Sequence, residues 1–145
     1  MTELEIISIE RACHRLILDF AFFSDRREYE SLAALFAEQG SMTRPSGDML
    51  AGREAIVQSY RSKPATRITR HLCSNIHITV ESSDRARGIT YAIVYSADSN
   101  QLPDGHFGIR SDSRQLVGEF EDEFTNTPDG WRFASRTARF TMFTA

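Results

Sequence analysis

Leu116-Val117-Gly118-Glu119-Phe120-Glu121-Asp122-Glu123-Phe124, followed shortly by Asp129-Gly130-Trp131-Arg132-Phe133, decides the fold. Leu116, Gly118, Phe120, Asp122 and Phe124 occupy one register, while Val117, Glu119, Glu121 and Glu123 occupy the other. This is the period-two alternation of a strand with one buried face. Asp129-Gly130 is a hairpin turn signal, since the tight turn needs backbone angles that glycine tolerates. A strand from Leu116 to Thr127 therefore returns as one from Trp131 to Phe143. Trp131 and Phe133 are expected to close core layers. Asp122 stands on the apolar register, where an unpaired carboxylate is costly. It needs a partner, for which Arg136 on the returning strand is placed, or it is a second acid in a hydrated cavity.

Upstream the same period continues. From Ala86 to Ala97, Ile89, Tyr91, Ile93 and Tyr95 alternate with Thr90, Ala92 and Val94. From Arg70 to Val80, Leu72, Ile76, Ile78 and Val80 read as one face, with His71, Cys73, Asn75, His77 and Thr79 on the other. Before Pro64 the period is helical. Ile6, Ile9, Cys13, Leu16, Ile17, Phe20 and Phe23 recur at helical spacings and form one apolar stripe. After Ser24-Asp25-Arg26-Arg27, a second helix is expected from Glu28 to Ala37, with Gly40 as its exit. Ser41 to Arg44 reads as a brief strand before the turn at Pro45–Asp48. A third helix runs from Arg53 to Ser62 and Pro64 ends it. Helices first and long antiparallel strands afterwards make the class α+β, and residues 1–145 read as one domain without repeat or linker. Ser96 to Ser113 is irregular, either a hairpin tip or a loop over a cavity mouth.

The bulk numbers narrow the function classes. The chain has 145 residues, 17 basic against 20 acidic side chains, and a formal charge of −3. Its scattered basic residues form no aromatic-basic stripe, so nucleic acid is not an expected partner. No apolar run reaches the length of a membrane span, and the acidic start, Met1 to Glu5, does not read as a signal peptide. Cys13 and Cys73 make no disulfide framework, which suits a reducing cytoplasm. No metal-site or phosphate-loop motif is present. His71, His77 and Asp122 are an imaginable metal set, but strand spacing alone does not bring them together, and neither metal nor cofactor is expected. Both registers of the 86–97 strand are largely apolar; helices can cover one sheet face only, so a homodimer is expected through the other.

Phe20-Ala21, Asp25-Arg26, Tyr29 and Leu32 to Ala37, then Gly52-Arg53-Glu54-Ala55-Ile56, resemble the opening of SnoaL-like proteins in the nuclear transport factor 2-like superfamily. Thr69-Arg70-His71 with Ser74-Asn75-Ile76, and Gly130-Trp131-Arg132-Phe133 with Arg136, extend the resemblance in order along the chain. It implies a curled sheet wrapped on three N-terminal helices around a conical pocket, in a protein that is commonly dimeric. Similar domains include dehydratases, isomerases, cyclases and proteins without catalysis, so only the site argues function. In the family's dehydratases the positions matching Asp25 and His71 are the catalytic acid and base, and the position matching Phe20 is often tyrosine.

A histidine in an apolar cavity is suited to proton abstraction, and a carboxylate in hydrogen-bond reach fixes its tautomer. His71 is thus the candidate base and Asp25 its orienting partner. Alternatively His71 is a structural anchor and Asp25 a turn or N-cap residue. Phe20 has no hydroxyl for a developing enolate, so Asn75, Tyr60, Tyr91 or Tyr95 is the candidate donor. Phe20, Phe23, Met42, Met49 and Phe120 are candidate walls. Such walls suit a small hydrophobic ligand, aromatic or polyketide-like. The expected function is a cofactor-independent lyase or isomerase; the alternative is a non-catalytic binding or structural partner protein.

Overall fold

A 23-residue helix, α1 (Glu3–Asp25), forms the spine of the structure, a computed structural model that describes all 145 residues. Its start is fixed by a capping box: the Glu5 backbone N–H donates to Thr2 Oγ1 (3.2 Å) and the Thr2 N–H donates to the Glu5 carboxylate (2.7 Å). Its stripe of Ile9, Cys13, Leu16, Ile17 and Phe20 is buried, as the helical spacing requires. Two shorter helices complete the layer, α2 (Tyr29–Ala33) and α3 (Arg53–Arg61).

The strands are β1 (Phe36–Thr43), β2 (Met49–Ala51), β3 (Arg67–Val80), β4 (Arg85–Asp98), β5 (Leu116–Thr127) and β6 (Gly130–Phe143). They form one curved, unclosed sheet in the order β2-β1-β6-β5-β4-β3, antiparallel except where β1 runs parallel to β6. Three helices packed on this sheet give the α+β architecture that the change of hydrophobic period indicates. Residues 105–107 add one turn of 3₁₀ helix between β4 and β5.

Two local readings change. The second helix stops at Ala33, and β1 begins at Phe36, well before Ser41. Residues 32–37 carry good helix formers, but Phe36 instead packs against Phe133 of β6, with ring centroids 5.1 Å apart. Tertiary packing overrides local preference there. In β3 the alternation is broken: Ser74 pairs with Tyr91 and His77 with Ile89, so Asn75 and Ile76 together face Thr90. This is a β-bulge, and Asn75 adopts a left-handed φ of 51°. Thr69, His71 and Cys73 consequently share the inner side with Ile76 and Ile78, across a phase shift that simple alternation does not reveal.

The core lies between α1 and the inner face of β3 to β6. At its centre Arg136 Nε and Nη2 donate to the two Asp122 oxygens at 2.7 and 3.0 Å, with both side chains fully buried. The guanidinium also stacks over Phe20, Phe120 and Phe133, 3.8–4.5 Å from their centroids. Burial pushes the Asp122 carboxyl above the usual range, and the Arg136 charge opposes that rise. Of the two roles open to Asp122, the structure shows the structural pair.

Candidate functional site

Asp25 is the last residue of α1, and the chain then turns through Arg27 in a left-handed conformation, φ 58°. The Arg27 guanidinium donates to the backbone carbonyls of Pro64 (2.8 Å) and Arg67. That clamp draws the end of α1 onto the beginning of β3. The Asp25 carboxylate there accepts three hydrogen bonds: from Thr69 Oγ1 at 2.9 Å, from the His71 backbone N–H at 2.9 Å and from His71 Nδ1 at 2.6 Å. Burial works to raise the Asp25 carboxyl, but the side-chain and backbone hydrogen bonds from His71 outweigh it and hold the group below its ordinary value. An ionised carboxylate only accepts, so Nδ1 carries the proton. The lone pair of a neutral imidazole then lies on Nε2, on the far side of the ring.

His71 lines a cavity of about 410 Å³, together with Phe20, Met42, Tyr60, Thr69, Ala92, Val94, Gly118, Phe120, Ala138 and Phe140. Arg44, Pro45, Ser46, Lys63, Ser96, Leu116, Glu119 and Arg139 complete its wall. The size is within the range of small-molecule sites. Asp25 supports His71 from behind and lines a separate small cleft of about 30 Å³. Tyr60 is buried among Phe20, Tyr29 and the Lys63 ammonium, and burial pushes its hydroxyl up to about 12. It therefore stays a neutral donor, and its partner, Met42 Sδ at 3.8 Å, is a weak acceptor.

The structure thus brings together Asp25, His71, Phe20, Met42, Tyr60 and Phe120. It does not bring in the others. Asn75 is exposed, because the bulge turns it out of the strand register. Tyr91 and Tyr95 are 53% and 41% exposed, since β4 directs Ala92 and Val94 inward and the odd-numbered residues up to Tyr95 outward. Met49 is 67% exposed on the edge strand β2, and Phe23 packs beside Phe22 at the margin of the core without reaching the cavity. Asp122 lies in the core beneath Phe120, locked to Arg136. His77 is exposed on the opposite side of β3 from His71, and no group of three metal-ligating side chains exists. None of residues 99–115, the long β4–β5 connection, lines the cavity. Thr69, Arg44 and Lys63 were not singled out from sequence. Thr69 shares the strand parity of His71, a signal that was available; Arg44 and Lys63 carry none.

The profile of the SnoaL-like domain matches residues 5–137. The chain belongs to the SnoaL-like family. Solved structures of this nuclear transport factor 2-like fold agree closely with it. A scytalone dehydratase-like protein from Novosphingobium aromaticivorans aligns with a TM-score of 0.82 at 24% identity, over 99% of this chain and 91% of that one. Hexachlorocyclohexane dehydrochlorinase LinA-type3 from Novosphingobium barchaimii has a TM-score of 0.82 at 17% identity, over 99% and 93%. A Catenulispora acidiphila protein in complex with S-DNPA has a TM-score of 0.73 at 18% identity, over 92% and 94%. At these identities the likeness is one of fold. No curated protein matches the sequence significantly. No helix of this SnoaL-like chain is long and apolar enough to cross a membrane.

Proposed function

We propose that this protein is a cofactor-independent lyase or isomerase that abstracts a proton next to a carbonyl in a small hydrophobic compound, aromatic or polyketide-like. The observation that carries the reading is the Asp25–His71 pair, joined at 2.6 Å, with the imidazole in the wall of the cavity. His71 Nε2 takes the α-proton, and Asp25 stabilises the imidazolium that forms. The C–H electron pair moves into the carbonyl, giving an enolate. The enolate either expels a β-substituent, which the imidazolium protonates on departure, or is reprotonated at another carbon. The Tyr60 hydroxyl is the donor available to the enolate oxygen in place of a phenol at Phe20. That two similar folds carry the names of a dehydratase-like protein and a dehydrochlorinase supports elimination as the reaction type.

Phe20 favours the second reading, a binding protein that uses the same pair only to position its ligand. Solvent-deuterium exchange at α-carbons separates the two, screened across aromatic and polyketide-like ketones. The enzyme reading expects exchange that falls about 10²–10⁴-fold in His71→Ala and in Asp25→Asn. Exchange that survives His71→Ala removes His71 as base. Ketones that bind the wild type without any exchange establish the binding role.

The same proposal makes the protein a cytoplasmic homodimer that binds neither nucleic acid nor membrane. The dimer rests on the outer sheet face, where Leu72, Ile89, Tyr91, Ile93 and Tyr95 stand exposed together on β3 and β4.

A further inference from the structure

Arg44, one residue beyond β1, and Lys63, two residues beyond α3, converge on the cavity that His71 lines. They come from different elements, and neither has a carboxylate within 4 Å. Of the other charged lining residues, Arg139 already has a carboxylate partner. That partner is Glu121, while Glu119, opposite Arg139 in register, makes no ion pair and is the single carboxylate against three cations in the wall. Arg44 spends one N–H on Ser59 Oγ, at 2.8 Å. The Lys63 ammonium sits 4.3 Å from the centroid of the Tyr60 ring and donates to no protein atom. Ser46 and Ser96 add hydroxyls to the same wall. Such an excess of cationic donors stands out in a chain whose net charge is −3. Two like charges left facing one cavity repel each other, and an anion placed between them relieves that repulsion while accepting their free N–H groups.

We propose that the ligand of this cavity carries a carboxylate, bound between Arg44 and Lys63, so that the substrate is an aromatic or polyketide-like keto acid rather than a neutral ketone. This rests on the proposed function only for the position of the reacting carbon at His71; the carboxylate site itself does not depend on catalysis. Its electrostatics fit. Although the residue as a whole is exposed, burial of its ammonium first, then the Arg44 and Arg27 charges, pull Lys63 down to about 8, with Asp25 opposing them. A bound carboxylate would restore its charge, and binding would weaken as pH rises through that value.

The test compares 1-naphthoate with its neutral isostere 1-naphthamide by titration calorimetry, on the wild type and on Lys63→Met, Arg44→Gln and His71→Ala. Circular dichroism and melting on each variant show that it is folded. The expected result is naphthoate binding at least about tenfold tighter than naphthamide. That preference should fall in both cation variants, shrink with salt, and persist in His71→Ala. Equal binding of the two probes, binding of neither, or a preference unchanged in Lys63→Met and Arg44→Gln overturns the proposal. If Lys63→Met does not fold, Lys63→Gln and the salt dependence of the wild type decide the matter. Absence of α-carbon exchange in the wild type, with the preference intact, would count against the catalytic reading alone.

Discussion

Replacing Arg136 with methionine should be the most damaging conservative change in the molecule. Both members of the Asp122–Arg136 pair are wholly buried, so the substitution leaves the Asp122 carboxylate in the core without its cation. Removing one partner of a buried pair costs about 3–5 kcal/mol. At the unfolding entropy usual for a chain of this length, that is a fall in melting temperature of roughly 10–16 °C. The pH dependence identifies the cause. Burial already raises the folded Asp122 carboxyl, and removing Arg136 takes away the charge that opposes the rise. A group whose folded pKa lies above its unfolded value adds stability below the unfolded value and loses it as pH rises through the folded one. The deficit of Arg136→Met should therefore be smallest at or below about pH 4 and grow towards neutrality. Adding Asp122→Leu should recover most of it and flatten the pH profile. The assay is urea or thermal unfolding of the wild type, the single variant and the double variant across that pH range. A deficit under about 1 kcal/mol, a deficit independent of pH, or a double variant no more stable than the single would refute the argument.

Two further changes probe the sheet. A methyl group added at Gly118 would lie 2.3 Å from the Arg139 carbonyl oxygen, so Gly118→Ala should destabilise the fold by about 1–3 kcal/mol, read as a lower denaturant midpoint; an unchanged midpoint would mean that β5 and β6 yield freely. Tyr91→Glu, on the outer face of β4, should convert a dimer to a monomer at micromolar concentration without lowering the melting point of the isolated chain. Sedimentation velocity checks this, and a monomeric wild type would end the dimer proposal.

The fold was legible because its strongest signals are periodic. The stripe of α1 and the alternation of β5 both come from one-sided burial, which leaves a record in residue order. The start of β1 left no such record: Phe36 to Gln39 favour a helix locally, and only contact with Phe133 on β6 overrides that choice. The Asp25–His71 pair was legible through family resemblance, since 46 positions separate the two and no local rule joins them. Asn75 was misplaced because an irregularity in pairing is a property of two strands and is invisible in one. Tyr91 and Tyr95 were misassigned because an apolar residue on a strand with two apolar registers carries no label for its side. Arg44 and Lys63 were missed for a third reason. A cation after a strand or before a proline looks like any solvated charge until the fold sets both against one cavity.

The extra residue in β3 has a consequence for how this protein tolerates change. It divides the strand into two blocks whose residue numbers are out of step, one holding His71 and the other seated on the core. Deleting Asn75 would leave Ser74, Ile76 and His77 alternating plainly against Tyr91, Thr90 and Ile89, so His71 would keep the cavity and Leu72 the outer face. The bulge is therefore a one-residue reserve, whose loss the β3–β4 pairing can absorb without turning the reactive wall outward.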